Sequence, residues 1–176
     1  MDLSKKKILF ADLDGTLITT ASGKTFDEDC TDFRIRKDVL DKIKTMAGLE
    51  YLAIVTNQGG VPQYISQHDV EVKIKSICEF IRSYFSEHPY SPDEYGLAVS
   101  AEYCASTDKD HPCRKPNTGM LENFFVYSVP NKKPKKSEML MVGDASGKPG
   151  QFSDSDRRCA ENFGIDYMDI EDFLNS

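Results

Sequence analysis

Long apolar runs and a regular cysteine framework are both missing from this sequence. No stretch approaches the ~18 consecutive apolar residues that a membrane span requires, and the opening MDLSKKK is too polar to begin a leader peptide. The five cysteines are odd in number and irregularly spaced, which does not fit a secreted disulfide scaffold. We therefore expect a cytoplasmic protein that does not associate with a membrane.

Positive charge is also in deficit. The 22 lysine and arginine residues face 29 acidic residues, for a net charge of −7. This balance disfavours broad electrostatic binding along a nucleic acid, which depends on many basic contacts to phosphates. One local basic segment remains around Pro134, either as solvated surface or as a guide for a ligand, and its lysines are Lys132, Lys133, Lys135 and Lys136.

The length and the apolar pattern predict one α/β domain over residues 1–176. Apolar runs alternate with segments of helical period, which is typical of a parallel sheet with crossover helices. We predict strands at 7–13, 51–56, 95–101 and 139–144, and helices at 39–48, 70–85, 119–127 and 154–163. Ser66 and Asp69 would cap the second helix, Gly164 would end the fourth, and GIDYMDI would add a short edge strand.

Two nucleotide or metal motifs that the segment FADLDGTLITTASGKTF suggests are rejected by its spacing. SGKT at 22–25 looks like the end of a P-loop, but the P-loop pattern needs a glycine where the chain has Ile18. A calcium loop that begins at Asp12 needs glycine and glutamate where the chain has Leu17 and Gly23. The part that remains to be explained is DLDGT.

Residues suited to phosphate chemistry follow each predicted strand. Ligands of parallel α/β sheets bind beyond the carboxyl ends of the strands, so these side chains should converge. Taken singly, DLDGT could be a solvated turn, TNQGG a loop, RKP a surface turn and GD a helix lead-in, whereas their order along the chain favours a catalytic site. The candidates are Asp12, Asp14, Thr56, Asn57, Lys115 and Asp144.

The two aspartates of DLDGT can hold two different roles. They stand two residues apart, so both carboxylates lie on one side of an extended chain. Repulsion between Asp12 and Asp14 raises one pKa while a bound cation lowers the other, which leaves one ionised nucleophile and one proton carrier. Asp144 adds a third carboxylate, and such an oxygen-rich site suits Mg²⁺. Thr56 and Lys115 suit the oxygens of a phosphoryl group.

Together, DLDGT, TNQGG, RKP and GDASG resemble the four motifs of the haloacid dehalogenase (HAD) superfamily of phosphatases, over nearly the whole chain. A narrower resemblance is to the phosphatase domain of the polynucleotide kinase 3′-phosphatase family. It is carried by DLDGTLITTASGKTF, TDFRI, TNQGG, RKPNTGM and GDASGKPGQFSDSDRRCAENFGI. The resemblance implies a Rossmann-like, HAD-like sheet flanked by helices, with no cap or a minimal one. It also places SGKTF in the loop that follows the nucleophile.

The resemblance implies a role for each matching residue. Asp12 would be the nucleophile, and Asp14 the general acid that later activates water. Thr56 and Lys115 would bind the phosphoryl group. Mg²⁺ would be held by Asp12, Asp144 and the carbonyl group of Asp14.

Three further positions match or depart from the narrower family. Arg114 and Asp156 match it, and we expect Arg114, together with Asn57, to contact the substrate. Gln151 departs from it, because an acid often stands at that position.

Nothing in the chain resembles the kinase half of these proteins, so we expect no 5′-phosphorylation by it, and a separate kinase or ligase is a candidate partner.

The function implied is a Mg²⁺-dependent phosphoric monoester hydrolase that removes 3′-phosphates from nucleic-acid ends, as in DNA repair or RNA processing. One alternative is a small-molecule phosphatase of the heptose bisphosphate or histidinol phosphate type, and another is a binding module without turnover. Relatives of the small-molecule type sometimes hold zinc before RKP, where this chain has Cys104, His111 and Cys113. Their C-x6-H-x-C spacing is not a strong zinc signature, so we expect free thiols there, with zinc as the alternative.

Overall fold

The architecture is taken from a computed structural model that describes residues 1–25, 27–86, 96–129 and 133–176. Seven strands occur in it: β1 (Ile8–Ala11), β2 (Ile18–Thr19), β3 (Arg34–Ile35), β4 (Tyr51–Asn57), β5 (Ala98–Cys104), β6 (Met139–Gly143) and β7 (Asp166–Asp169). Five of them form a parallel sheet in the order β5-β4-β1-β6-β7, and β2 pairs with β3 as a separate antiparallel hairpin. The predicted Rossmann-like parallel sheet, including its last edge strand, is confirmed.

The helices are α1 (Lys37–Lys44), α2 (Gln67–Phe85), α3 (Gly119–Tyr127), α4 (Ser155–Phe163) and α5 (Ile170–Leu174). Short 3-10 helices span Leu3–Lys5 and Lys136–Glu138. The first four α-helices were predicted, and Gly164 ends α4 with a left-handed φ of +75°. Helix α5 was not, because five residues are too few to show a helical period.

Two predicted boundaries are wrong. Helix α1 ends at Lys44 rather than at Gly48, because Gly48 lies in a turn where a Cβ atom would come within 2.4 Å of the Ser4 carbonyl oxygen. The third sheet strand was predicted over 95–101 but runs from Ala98 to Cys104. It pairs with the whole length of β4, and this pairing extends the strand into a polar segment that its own composition does not indicate.

The sheet is buried on both faces, which explains why its central strands read as continuous apolar runs. Leu9 and Ala11 of β1 face a core formed with α1, α2 and α5. The alternate residues Ile8 and Phe10 face a second core formed with α3 and α4, where Phe10 packs edge-on against Phe124 at 5.4 Å between ring centroids. The covered sheet leaves its carboxyl edge as the place where polar side chains collect.

The hairpin and its connection form a small flap after β1. The connection is ordered by Asp32, whose carboxylate accepts hydrogen bonds from the Ser22 backbone at 2.6 Å and from the Glu28 backbone at 3.0 Å. Residues 22–25 therefore lie in the loop that follows DLDGT, as predicted, while position 26 lies outside the described residues. Between Asn57 and Lys115 the described elements are α2 and β5, with no inserted cap in that described part.

Among the residues that the structure describes, no helix combines the length and the apolar character needed to cross a membrane. That the whole of 1–176 folds as one domain stays a prediction.

Candidate active site

Lys115 lies between two buried carboxylates at the carboxyl edge of the sheet. Its Nζ atom is 2.6 Å from Asp12 Oδ1 and 2.8 Å from Asp156 Oδ1, and all three side chains are buried. Asp12 follows β1, Lys115 comes from the loop after β5, and Asp156 belongs to the first turn of α4. The buried ammonium group is tolerated because two carboxylates pair with it.

The surroundings change the proton affinity of this pair. Burial raises the pKa of Asp12 to about 8, with a contribution from the charge of Asp156 and against the opposing influence of Lys115. Burial alone would lower the pKa of Lys115, but the charges of Asp12 and Asp156 outweigh it and raise that pKa above its ordinary value. Lys115 therefore stays protonated, and Asp12 needs a further positive charge to be fully ionised near neutral pH.

Asp144, which follows β6, completes a group of three carboxylates. One oxygen each of Asp12, Asp144 and Asp156 lies within 4.8 Å of the others, and this is the single such group of potential metal ligands among the described residues. Burial and the charge of Asp156 raise the pKa of Asp144 to about 6. Converging carboxylate oxygens of this kind suit a hard divalent cation such as Mg²⁺.

Two glycines allow these carboxylates to approach the backbone. A Cβ atom on Gly15 would lie 2.1 Å from Asp144 Oδ2, and one on Gly143 would lie 2.1 Å from Asp156 Oδ2. Gly15 also has a φ of +82°, a left-handed conformation that other residues rarely adopt. Glycine is therefore required at both positions for the carboxylates to stand where they do.

The end of β4 contributes Thr56 and Asn57. Thr56 is buried next to β1, and its Oγ1 accepts a hydrogen bond from Gln58 Nε2 at 2.9 Å. The Asn57 side chain donates to the Lys115 carbonyl oxygen and accepts from the Lys115 backbone N–H, both at 3.0 Å. Asn57 thus fixes the backbone of Lys115, and its predicted contact with the substrate stays a prediction.

Asp14 faces a different set of groups from Asp12. Gln58 Nε2 donates to its Oδ2 atom at 2.6 Å, and Lys73 Nζ lies 3.2 Å from its Oδ1 atom. Lys73 is fully buried in α2 and also forms an ion pair with Asp27 from the flap. About half of the Asp14 side chain, 46 %, remains exposed, so its carboxyl group is accessible to a ligand.

Some residues of this site were not identified from the sequence. Asp156 had been noted as a match without a role, and the structure places it with Asp12 and Asp144, whereas the Asp14 carboxylate lies apart from that group. Lys73 sits three residues after Val70 and four before Ile77 on the apolar stripe of α2. A lysine on the buried face of a helix indicates that an acidic partner lies in the protein interior, and this signal was available in the sequence.

Arg114 and Gln151 both brace loops around the site. Arg114 Nη1 donates a hydrogen bond to the Ser106 carbonyl oxygen at 2.6 Å. The predicted contact of Arg114 with the substrate stays a prediction. Gln151 Oε1 accepts from the Ser146 backbone at 2.7 Å, and its Nε2 donates to Asp169 Oδ2 at 2.6 Å. The amide at position 151 therefore ties the loop after Asp144 to the end of β7.

The basic segment lies at the amino-terminal end of β6, whereas Asp144 follows its carboxyl end. Lys133, Lys135 and Lys136 precede β6, and a five-residue strand separates its two ends by about 16 Å at ~3.3 Å per residue. Lys136 lies over the rings of Phe125 and Phe163, and burial lowers its pKa to about 8. Lys132 is outside the described residues. The described lysines are thus poorly placed to guide a ligand into the site.

The candidate zinc residues are neighbours without forming a ligand cluster. Cys104 Sγ lies 3.7 Å from His111 Nδ1, and the same nitrogen accepts a hydrogen bond from the Cys113 backbone at 3.3 Å. Burial raises the pKa of Cys113, which works against a thiolate ligand. In the described part of the chain their ligand atoms do not converge as those of the three aspartates do.

The arrangement has the parts needed for a two-step phosphoryl transfer. A buried carboxylate with a paired lysine can attack phosphorus, and a second, accessible carboxyl group two residues later can carry the proton. The neighbouring carboxylates can hold a cation that neutralises the transferring group.

Comparisons with known proteins agree with this description. The sequence model of the family "Polynucleotide kinase 3 phosphatase" matches residues 7–174. The bifunctional polynucleotide phosphatase/kinase of Schizosaccharomyces pombe is 36% identical over 96% of this chain, and the histidine biosynthesis bifunctional protein HisB of Legionella pneumophila is 30% identical over 94%. The matched regions cover 38% and 41% of those two relatives, so the chain spans about two fifths of their length.

Solved structures share the fold. A Mesorhizobium loti protein assigned to the HAD-like phosphatases superposes with a TM-score of 0.63 and 24% identity, covering 91% of this chain and 69% of that one. The D,D-heptose bisphosphate phosphatase of B. bronchiseptica, complexed with magnesium and phosphate, also gives a TM-score of 0.63, with 19% identity and coverage of 92% and 78%. The HAD-like fold class predicted from the motifs is confirmed.

Proposed function

Because the chain belongs to the polynucleotide kinase 3 phosphatase family of HAD-like phosphoric monoester hydrolases, we propose that it removes 3′-phosphate groups from polynucleotide ends. The observation that carries the proposal is the Lys115 ammonium group, which is held between Asp12 and Asp156 beside Asp144. A surface turn or a binding loop would have no physical need to bury these charges together.

In the first step Asp12 attacks the phosphorus atom with one carboxylate oxygen. The bond between phosphorus and the ester oxygen breaks, and the proton of Asp14 passes to that oxygen to give a free 3′-hydroxyl group. The phosphoryl group is then bonded to Asp12 as an acyl phosphate. Thr56 offers a hydroxyl group and Lys115 a positive charge to the phosphoryl oxygens. Both would lower the energy of the transition state.

In the second step Asp14, now a carboxylate, takes a proton from a water molecule. The water oxygen attacks phosphorus, the bond from phosphorus to Asp12 breaks, and inorganic phosphate leaves. Asp12 is regenerated as a carboxylate and Asp14 carries its proton again. The exposed side chain of Asp14 suits this exchange with solvent and substrate.

The residues at the carboxyl edge fit a magnesium ion. Three carboxylate oxygens converge, and the spaces above Gly15 and Gly143 are occupied by carboxylates that a Cβ atom would displace. Asp12, Asp144 and Asp156 would hold the ion, together with the Asp14 carbonyl group. When bound, it would reduce the repulsion between the Asp12 carboxylate and the phosphate oxygens. The ion would also lower the pKa of Asp12, which burial raises.

A small phosphate monoester is the second candidate substrate. The net charge of −7 favours it over a polyanion, and the similarity to HisB at 30% identity points in the same direction. The S. pombe relative, whose name states a polynucleotide phosphatase, is more similar at 36% identity and favours the nucleic-acid end. For the 3′-end substrate, a separate kinase or ligase remains the proposed partner.

A substrate panel tests the proposal. The value of kcat/KM is measured in Mg²⁺ for a 3′-phosphorylated oligonucleotide, histidinol phosphate and a heptose bisphosphate, with Asp12→Asn as the blank. Binding energy from remote parts of the true substrate should give the oligonucleotide the highest value. A higher value for either small ester would transfer the proposal to that substrate, and no turnover of any would support the binding module.

A further inference from the structure

A second buried lysine of the candidate site, Lys73, contacts the other aspartate of DLDGT. Its side chain is fully buried in the second turn of α2, and its Nζ atom lies 3.2 Å from Asp14 Oδ1 while pairing with Asp27. Gln58 holds the remaining oxygen of Asp14 at 2.6 Å. Both oxygens of this carboxyl group are therefore held by donors, one from the segment after β4 and one from α2.

The pairing with Asp27 balances the charge of Lys73. Asp27 is itself nearly buried, with 10 % of its side chain exposed, and burial raises its pKa while Lys73 acts against that rise. Because Asp27 supplies the balancing charge, Lys73 can donate a hydrogen bond to Asp14 without leaving an unbalanced positive charge there. A lysine that served only to hold the flap would not need to contact Asp14.

We propose that Lys73 is a positioning residue that orients the Asp14 carboxyl group toward the leaving oxygen of the substrate. The inference rests on the proposed function, in which Asp14 delivers the proton. A general acid must lie within hydrogen-bond reach of the atom that it protonates. Gln58 alone would leave the carboxyl group free to rotate about its one remaining contact.

The requirement for a positioned acid depends on the leaving group. An alkoxide, such as the 3′-oxygen of a nucleotide, is a strong base and must be protonated as the ester bond breaks. A p-nitrophenolate is weakly basic and leaves without a proton. The ratio kcat/KM reports on steps up to the first irreversible one, so it includes the departure of this group but not the later hydrolysis of the acyl phosphate.

The test compares Lys73→Met with the wild type on a 3′-phosphorylated oligonucleotide and on p-nitrophenyl phosphate. We expect kcat/KM to fall on the order of 10²-fold for the oligonucleotide and less than about 3-fold for the aryl ester, which needs no proton. Lys75→Met, two residues further along the same helix at an exposed lysine, should leave both values unchanged. Equal losses on both substrates, or no loss on either, would overturn the proposal.

Two additions keep the test decisive. Lys73→Met leaves Asp27 buried without a partner, so Lys73→Met combined with Asp27→Leu is measured as well, since an apolar pair often replaces a buried ion pair without loss of stability. The double variant should show the same selective loss. If the wild type leaves 3′-phosphates untouched, the proposed function fails, and the comparison is repeated with a small alkyl phosphate that it does hydrolyse.

Discussion

Two buried lysines of the candidate site, Lys73 and Lys115, form similar ion pairs in different surroundings. Lys115 pairs with Asp12, and Lys73 pairs with Asp14, each with a further aspartate on its other side. Asp12 is buried next to two other carboxylates, whereas Asp14 is 46 % exposed and held by an amide as well. A lysine partner alone therefore does not define a role. The crowding of acids around Asp12 and the solvent access of Asp14 distinguish the proposed nucleophile from the proposed general acid.

The largest effect is expected from removing the lysine on the crowded side. Lys115→Met should lower kcat/KM on the order of 10²- to 10³-fold for alkyl and aryl phosphates alike, because its charge acts on the phosphoryl group that every substrate shares. Lys148→Met removes a half-exposed lysine that pairs with Asp169 and Asp172 and should change little. A loss that depends on the leaving group would erase the distinction between the two lysines.

A smaller effect is expected from crowding Asp144. Gly15→Ala places a Cβ atom 2.1 Å from Asp144 Oδ2, while Gly23→Ala at a similar φ meets open space. Both variants should lose roughly 1–3 kcal/mol of stability from the left-handed backbone. Only Gly15→Ala should weaken Mg²⁺ binding, by about 10- to 100-fold as judged by the Mg²⁺ dependence of turnover. Equal Mg²⁺ dependence in the two variants would remove Asp144 from the proposed site.

The hydrogen bonds that hold Lys115 by its backbone offer a milder change. Asn57→Leu removes both bonds of 3.0 Å and should lower kcat/KM about 10-fold without a dependence on the leaving group, because Lys115 shifts while its charge remains. Asn162→Leu removes a similar bond to Pro116, the next residue, and serves as the matched control. Similar rates for Asn57→Leu and the wild type would show that Lys115 needs no such support.

The smallest effect concerns stability in the absence of metal. The pKa of Asp144 is raised from 3.8 to about 6, so its contribution to stability is fully present below pH 3.8 and is lost as the pH rises through about 6. In EDTA, the free energy of unfolding of the wild type should therefore decline over this interval relative to Asp144→Asn. Mg²⁺ should reverse the difference. If the free energy of unfolding changed with pH in the same way for both proteins in EDTA, the raised pKa of Asp144 would be contradicted.

The sequence predicted the site residues that directly follow an apolar strand. DLDGT, TNQGG and GD each follow an apolar run, and parallel strands bring their carboxyl ends to one edge, so Asp12, Thr56 and Asp144 were predictable from order alone. Lys115 follows β5 after a loop and was found through the same logic and the RKP motif. The family resemblance then supplied their roles.

The parts that were missed depend on contacts between distant elements. Lys73 stands on the apolar stripe of α2, which indicates a buried partner, but its partner Asp27 belongs to a loop without a pattern, so the sequence did not show what Lys73 contacts. Asp156 reaches the site only because Gly143 leaves room for its carboxylate. The extension of β5 to Cys104 depends on pairing with β4, which no local period reveals.

The proposed function is the removal of phosphate from the 3′ ends of nucleic acids through Asp12. The most direct test is phosphate release in Mg²⁺ from two oligonucleotides that differ only in carrying a 3′- or a 5′-phosphate, with Asp12→Asn as the blank. We expect release from the 3′-phosphorylated oligonucleotide alone, and none with Asp12→Asn. Silence on both oligonucleotides, while a small phosphate ester is hydrolysed, would contradict it.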